Sequence, residues 1–178
     1  MRIIGGKWRS RRIGFPDRPG LRPTPDRVRE TLFNWLGQDM DGFACLDLYA
    51  GAGALGFEAL SRGASRVTMI ERDPVVARAL EDSAQRLDAT GLKIVCADAL
   101  EFLGRIAKRE RYDLIFVDPP FAMGLPEKIL ALLPEALGPG GRVFLESGAR
   151  QDLQPPWRLE KDGKAGQVHF QLLGRESE

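Results

Sequence analysis

The sequence is poor in the residues that carry metal and nucleophilic chemistry. Histidine occurs once, at His169, and cysteine twice, at Cys45 and Cys96, in 178 residues. That scarcity argues against a histidine-based metal site or a Ser–His triad, and no metal is expected. Both cysteines fall in apolar segments expected to be buried strands, so free core thiols in a reducing cytoplasm are expected rather than a disulfide. No apolar run is long enough to span a bilayer and no signal peptide opens the chain, so a cytoplasmic protein without membrane contact is expected. Net charge is also scarce, at +1, but it is unevenly spread. Residues 1–29 hold nine Lys or Arg against two Asp, which leaves the remainder acidic by six charges. A basic arm on an acidic body points to a polyanionic partner reached through Arg2, Lys7, Arg9, Arg11 and Arg12. Interleaved Ile3, Ile4, Trp8, Ile13 and Phe15 argue that this arm is ordered rather than a loose solvated tail.

With 43% hydrophobic and 29% charged residues, the chain suits one globular domain over 1–178, with a basic arm over 1–21 and a core over 22–178. Met1–Ile4 and Trp8–Ile13 can pair as a hairpin around Gly5-Gly6. Thr24 and Pro25 open a helix whose apolar stripe is Val28, Leu32, Phe33 and Leu36, with Thr24 as N-cap and Gly37 as terminator. Whether Thr24 also touches a cofactor cannot be read from spacing. Cys45–Tyr49 is a buried strand. Gly51-Ala52-Gly53-Ala54-Leu55-Gly56 comes next and runs into a helix, and Glu71 ends the next strand 20 residues after Gly51. Glycine loop, helix and acid together form a nucleotide-binding unit, with Glu71 placed to accept from both ribose hydroxyls. Pro74–Leu87 is a helix with Val75, Val76, Ala79, Leu80 and Leu87 on one face. The third strand is Leu92–Cys96. Asp98 after it can cap the helix Ala99–Ala107, accept from an adenine amino group, or do both. A helix near Leu125–Leu133, a turn at Gly138–Gly141 and a strand Arg142–Glu146 come next. A closing hairpin of Trp157–Lys161 and Gln167–Leu173 turns around Asp162-Gly163-Lys164.

The most informative stretch is Asp113–Phe121. Leu114–Val117 reads as a buried parallel strand that stops at Asp118-Pro119-Pro120-Phe121. The prolines cannot continue a central strand, so Asp118 falls at the carboxyl edge of the sheet, where open α/β sheets bind ligands. A planar amino group on a nucleobase is a poor nucleophile because its lone pair is delocalised. The Asp118 carboxylate and the Pro119 carbonyl can take its two N–H groups and free that lone pair. Phe121 offers a face for base stacking. A plainer reading, a capping Asp and a core Phe, accounts for each residue singly but not for the four together.

A nicotinamide dehydrogenase fits the glycine loop but leaves the Asp-Pro-Pro-Phe turn without a role. A non-catalytic RNA-binding Rossmann domain fits the basic arm and leaves the same gap. An N6-adenine methyltransferase fits the turn as well as a guanine enzyme does. The turn resembles the Asp/Asn-Pro-Pro-aromatic motif of amino-group methyltransferases that use S-adenosylmethionine. The whole chain resembles the bacterial RsmD-type 16S ribosomal RNA guanine-N2 methyltransferases. The matching segments are Arg2–Gly6, Arg22-Pro23-Thr24, Asp26–Leu36, Ala54–Ala64, Asp118–Phe121 and Gly163–Gln167, with departures at Tyr49 and Ala52. The resemblance implies a Rossmann-like α/β fold with a seven-stranded, mostly parallel sheet, helices on both faces and an antiparallel strand from the last hairpin. It implies S-adenosylmethionine held by Thr24, Asp47, Tyr49, Gly51, Gly53, Gly56, Glu71, Arg72, Asp98 and Ala99. It implies Asp118, Pro119 and Phe121 as catalytic residues acting on a flipped-out guanine, guanine 966. The partner implied is 16S rRNA, within a small-subunit assembly particle, bound by a monomer.

Overall fold

The computed structural model describes residues 1–106, 109–124 and 127–176. After a basic arm come α1 (Asp26–Leu36), β1 (Ala44–Asp47), α2 (Ala54–Ser61), β2 (Arg66–Glu71), α3 (Pro74–Arg86), β3 (Leu92–Cys96), α4 (Ala99–Ile106) and β4 (Tyr112–Val117). The chain then continues through α5 (Glu127–Ala136), β5 (Leu137–Ser147), β6 (Trp157–Ala165) and β7 (Val168–Arg175). The strands form one sheet in the order β3-β2-β1-β4-β5-β7-β6. β1 to β5 are parallel, and β7 enters antiparallel between β5 and β6. This is the arrangement the resemblance implied.

Both faces of the sheet are covered, as its near-continuous apolar strands require. On one face α1, α2, α3 and the arm pack around Phe33, Phe57, Met69, Phe116 and Phe144. On the other, α4 and α5 pack around Leu46, Leu103, Ile115, Ile129 and Leu145. The α1 stripe is buried as expected, and Gly37 ends the helix in the left-handed region at φ 91°. The open crevice lies between β1 and β4, where the strand order reverses.

Several expectations are corrected. The arm forms no regular hairpin strands; it has one bridge, Arg2 to Arg12, and a 3₁₀ turn over Gly6–Trp8 in place of a two-residue turn. Its order comes from Ile3, Trp8 and Ile13, all buried, and from α2, where Glu58 accepts from the N–H groups of Ile4 and Gly5. Val75 is exposed and Val76 carries the α3 contact instead, together with Leu80. Cys45 is buried, but Cys96 is exposed because β3 is an edge strand. Gly138–Gly141 does not turn the chain. It lies within β5, where pairing slips from Tyr112–Leu137 to Leu114–Arg142.

The last hairpin turns at Gly166, φ 60°, and Gln167 rather than at Gly163. Gly163 lies in β6 opposite Phe170, where a Cβ would come within 2.5 Å of the Phe170 ring and 3.1 Å of Trp35. The expected helix starts at Leu125 and ends at Ala107 fall outside the described residues.

Candidate active site

Four parallel strands carry a carboxylate within one residue of their carboxyl end: β2 ends on Glu71, β1 on Asp47, β4 just before Asp118, and β5 one residue past Glu146. Side chains alternate along a strand, so the face that carries Met69, Cys45, Phe116 and Phe144 also carries these acids. They line the carboxyl edge of the sheet on the side of α1 and α2, spanning the crevice.

The glycine loop positions the first two. Gly51 and Gly53 have φ 52° and 78°, a region costly for other residues. A Cβ on Gly53 would also come within 2.6 Å of the Phe57 ring. Gly51 donates its N–H to Glu71 Oε2 at 3.0 Å, and the Asp73 N–H takes Oε1 at 2.8 Å. Glu71 is thus fixed against the loop while its oxygens keep lone pairs for a ligand. Gly56 lets α2 rest on Met69, where a Cβ would come within 2.4 Å of the methyl, and its N–H donates to Asp47 Oδ2 at 3.2 Å. Asp47 is fully buried and its Oδ1 has no partner. Burial, then the charge of Asp118, push its carboxyl up to about 7, against the pull of the Gly56 and Tyr49 N–H groups. Tyr49, half-buried beyond β1, has its phenol pushed up to about 12 by burial and by Asp98. Ala52 is buried in the loop.

Asp118 sits one residue past β4 and receives the Thr24 hydroxyl at Oδ2, 3.0 Å away. Burial pushes it up to about 6 and the Thr24 hydrogen bond opposes that. Thr24 is therefore not the N-cap of α1: Pro25 holds that position without a side-chain cap bond. The hydroxyl is committed to the carboxylate instead. Pro119 is buried, and the Met123 N–H closes the turn on the Pro120 carbonyl. The Phe121 backbone opens that turn, while its side chain lies outside what the structure describes.

The remaining expected residues are more peripheral. Asp98 is exposed and caps α4, accepting from the N–H groups of Leu100 at 2.9 Å and Glu101 at 3.2 Å. Ala99 is buried as the first residue of that helix, and Arg72 is exposed at the β2 edge. Arg2, Lys7, Arg9, Arg11 and Arg12 are all exposed on the arm. The Lys7 ammonium lies 4.3 Å from the Trp8 ring centre, and the Arg11 guanidinium donates to the Arg86 carbonyl.

Glu146 did not emerge from the motif reading. Its signal was present: an acid ending the apolar run Val143-Phe144-Leu145, as Asp118 ends its own. Burial, then the charge of Asp118, push it up to about 8.

Residues 1–174 match the family model described as Conserved hypothetical protein 95. The chain is 43% identical to Ribosomal RNA small subunit methyltransferase D of Escherichia coli, across all of this chain and 91% of the relative. The chain belongs to that family. The methyltransferase D of Haemophilus influenzae is 40% identical, covering 97% of this chain and 92% of its own. The solved structure of yhhF from Escherichia coli superposes with a TM-score of 0.87 at 42% identity, covering 100% of this chain and 99% of the other. Among methyltransferase D sequences the family thus spans the arm, the glycine loop and the Asp118 turn together.

Proposed function

We propose that this protein methylates the exocyclic N2 amino group of a guanine in 16S ribosomal RNA, guanine 966 by family resemblance, with S-adenosylmethionine as donor. The observation that carries the reading is Asp118 at the crevice, held by Thr24, one strand from a glycine loop whose acids are already positioned. The loop fits the donor: left-handed glycines let a ligand approach the backbone, and Asp47 Oδ1 is buried with nothing to accept from. Glu71 would hold the ribose hydroxyls, the Gly51–Gly56 loop the amino-acid end with Asp47, and Asp98 and Tyr49 the adenine side. When bound, S-adenosylmethionine supplies an electrophilic methyl group on a sulfonium.

The chain's own residues act on the acceptor. Asp118 and the Pro119 carbonyl take the two N–H groups of the amine and turn its lone pair toward the donor side. Positioning supplies most of the acceleration. Asp118 also stabilises the positive charge that grows on nitrogen, an interaction strongest in the transition state. A base buried in a duplex stack hides its amine, so the guanine must be extruded. The exposed arm cations would hold RNA phosphates, and the substrate form is a small-subunit assembly particle bound by a monomer.

Mass mapping of methylated nucleotides in 16S rRNA tests this. A strain lacking the protein should lose one N2-methylguanine and regain it on complementation. Retention of every methylguanine would refute the reading.

A further inference from the structure

Glu146 has no part in the chemistry so far. It is 4% exposed, and its Oε2 has no hydrogen-bond partner. Among the described residues only one other buried side-chain oxygen is unpartnered, Asp47 Oδ1. The two stand on opposite sides of Asp118, one on β1 beside the glycine loop and one on β5. Glu146 lies one step past the Val117–Leu145 pair, level with Asp118, and across β7 it faces Phe170. No cation pairs with it among the described residues. A buried carboxylate with a free oxygen destabilises a fold unless an incoming donor completes it.

The donor is identified by the pattern of acceptors. When both are ionised, Asp118 and Glu146 present two neighbouring acceptor groups. Guanine carries two neighbouring donors on one edge, the N2 amine and the ring N1–H. Adenine carries its amine beside a bare N1 lone pair, which a carboxylate repels. An RNA phosphate is repelled as well. We propose that Glu146 reads the acceptor base, its free oxygen accepting the guanine N1–H while Asp118 holds the N2 amine, and that it thereby selects guanine over adenine. This inference rests on the guanine-N2 reading above. An N–H arriving at the oxygen favours the ionised form of the group, which can only accept.

The test uses 2-aminopurine, which keeps the N2 amine but has a lone pair at N1. Small subunits are reconstituted with 16S rRNA carrying either guanine or 2-aminopurine at the target position. Single-turnover methylation is measured at about pH 8.5, above the value of about 8 to which burial and Asp118 push Glu146. Wild type should prefer guanine. In Glu146→Ala that preference should shrink by about 10- to 100-fold, the range for one hydrogen bond to a charged group, and in Glu146→Gln by less, because its amide oxygen still accepts. The guanine rate should fall while the 2-aminopurine rate holds or rises, with S-adenosylmethionine affinity by calorimetry unchanged. Equal proportional losses on both substrates would make Glu146 merely structural and overturn the inference. Absence of guanine methylation by the wild type would overturn the guanine reading itself, and this inference with it.

Discussion

Replacing Glu58 with Gln should unseat the N-terminal arm. Glu58 is fully buried on α2 and its two oxygens accept four donors. Oε1 takes the Gly5 N–H at 2.8 Å and Arg62 Nε at 2.9 Å; Oε2 takes the Ile4 N–H at 2.9 Å and Arg29 Nη1 at 3.1 Å. Arg29 is itself 1% exposed and also donates to the Arg2 and Thr24 carbonyls. An amide nitrogen in place of either oxygen turns two of these acceptor contacts into donor–donor repulsions. Two lost hydrogen bonds to a charged group amount to about 3–6 kcal/mol. Breaking a buried ion pair from one side costs about 3–5 kcal/mol, which agrees. For a chain of this size the midpoint of thermal unfolding should fall by roughly 6–20 °C. Circular dichroism melts of wild type and Glu58→Gln read the shift directly. Because the arm hangs on this carboxylate, RNA affinity should drop while S-adenosylmethionine affinity stays within a few-fold. A loss of stability below about 1 kcal/mol, in the range of an exposed pair, would refute the reasoning.

Asp118→Ala should slow single-turnover transfer by about 10²- to 10³-fold with cofactor affinity nearly unchanged, and Asp118→Asn should keep part of the rate because its amide oxygen still accepts. Wild-type transfer should rise with pH through about 6 as Asp118 ionises, a limb that Asp118→Asn should lack. Stability should run the opposite way. The folded carboxyl of Glu146 is raised from 4.5 to about 8, so the native state holds a proton that the unfolded state releases. Its contribution is full below about pH 4 and is lost as pH rises through 8; urea titrations should show Glu146→Gln losing less stability than wild type over that window. Glu71→Ala should weaken S-adenosylmethionine binding by about 1.5–3 kcal/mol in calorimetry, since a charged acceptor is lost. Replacing Arg9 and Arg11 together with Ala should flatten the log–log salt dependence of RNA binding by about one to two units; an unchanged slope would leave the arm a solvated surface.

The parallel core was legible because its physics is local. Apolar runs ending at Glu71 and Asp118 marked strands and edge together, and the Cys45–Tyr49 run before the glycine loop marked the first strand, although β1 ends at Asp47, two residues earlier than read. What escaped was set by distant partners. Thr24 has the sequence context of an N-cap, but Asp118, 94 residues away, takes its hydroxyl. Gly163 has the composition of a turn, yet its missing side chain makes room for Phe170 and Trp35. Cys96 lies in an apolar strand whose exposure depends on being at the sheet's edge, which strand order decides. Glu146 carries no motif, and its importance appears only when β5 is laid beside β4.

β7 comes after every other element in the chain yet lies inside the sheet, and β6 touches the sheet only through it. During synthesis β5 therefore has an open edge until residues near 175 have left the ribosome. Phe144 and Leu145, fully buried at the end, stay uncovered on that side throughout. The strand that carries Glu146 is thus the last of the parallel set to be enclosed. An unpaired apolar edge invites pairing with another chain. A stalled or shortened product ending before Val168 would present that edge permanently, so it would be cleared or aggregate rather than accumulate as a partly working enzyme.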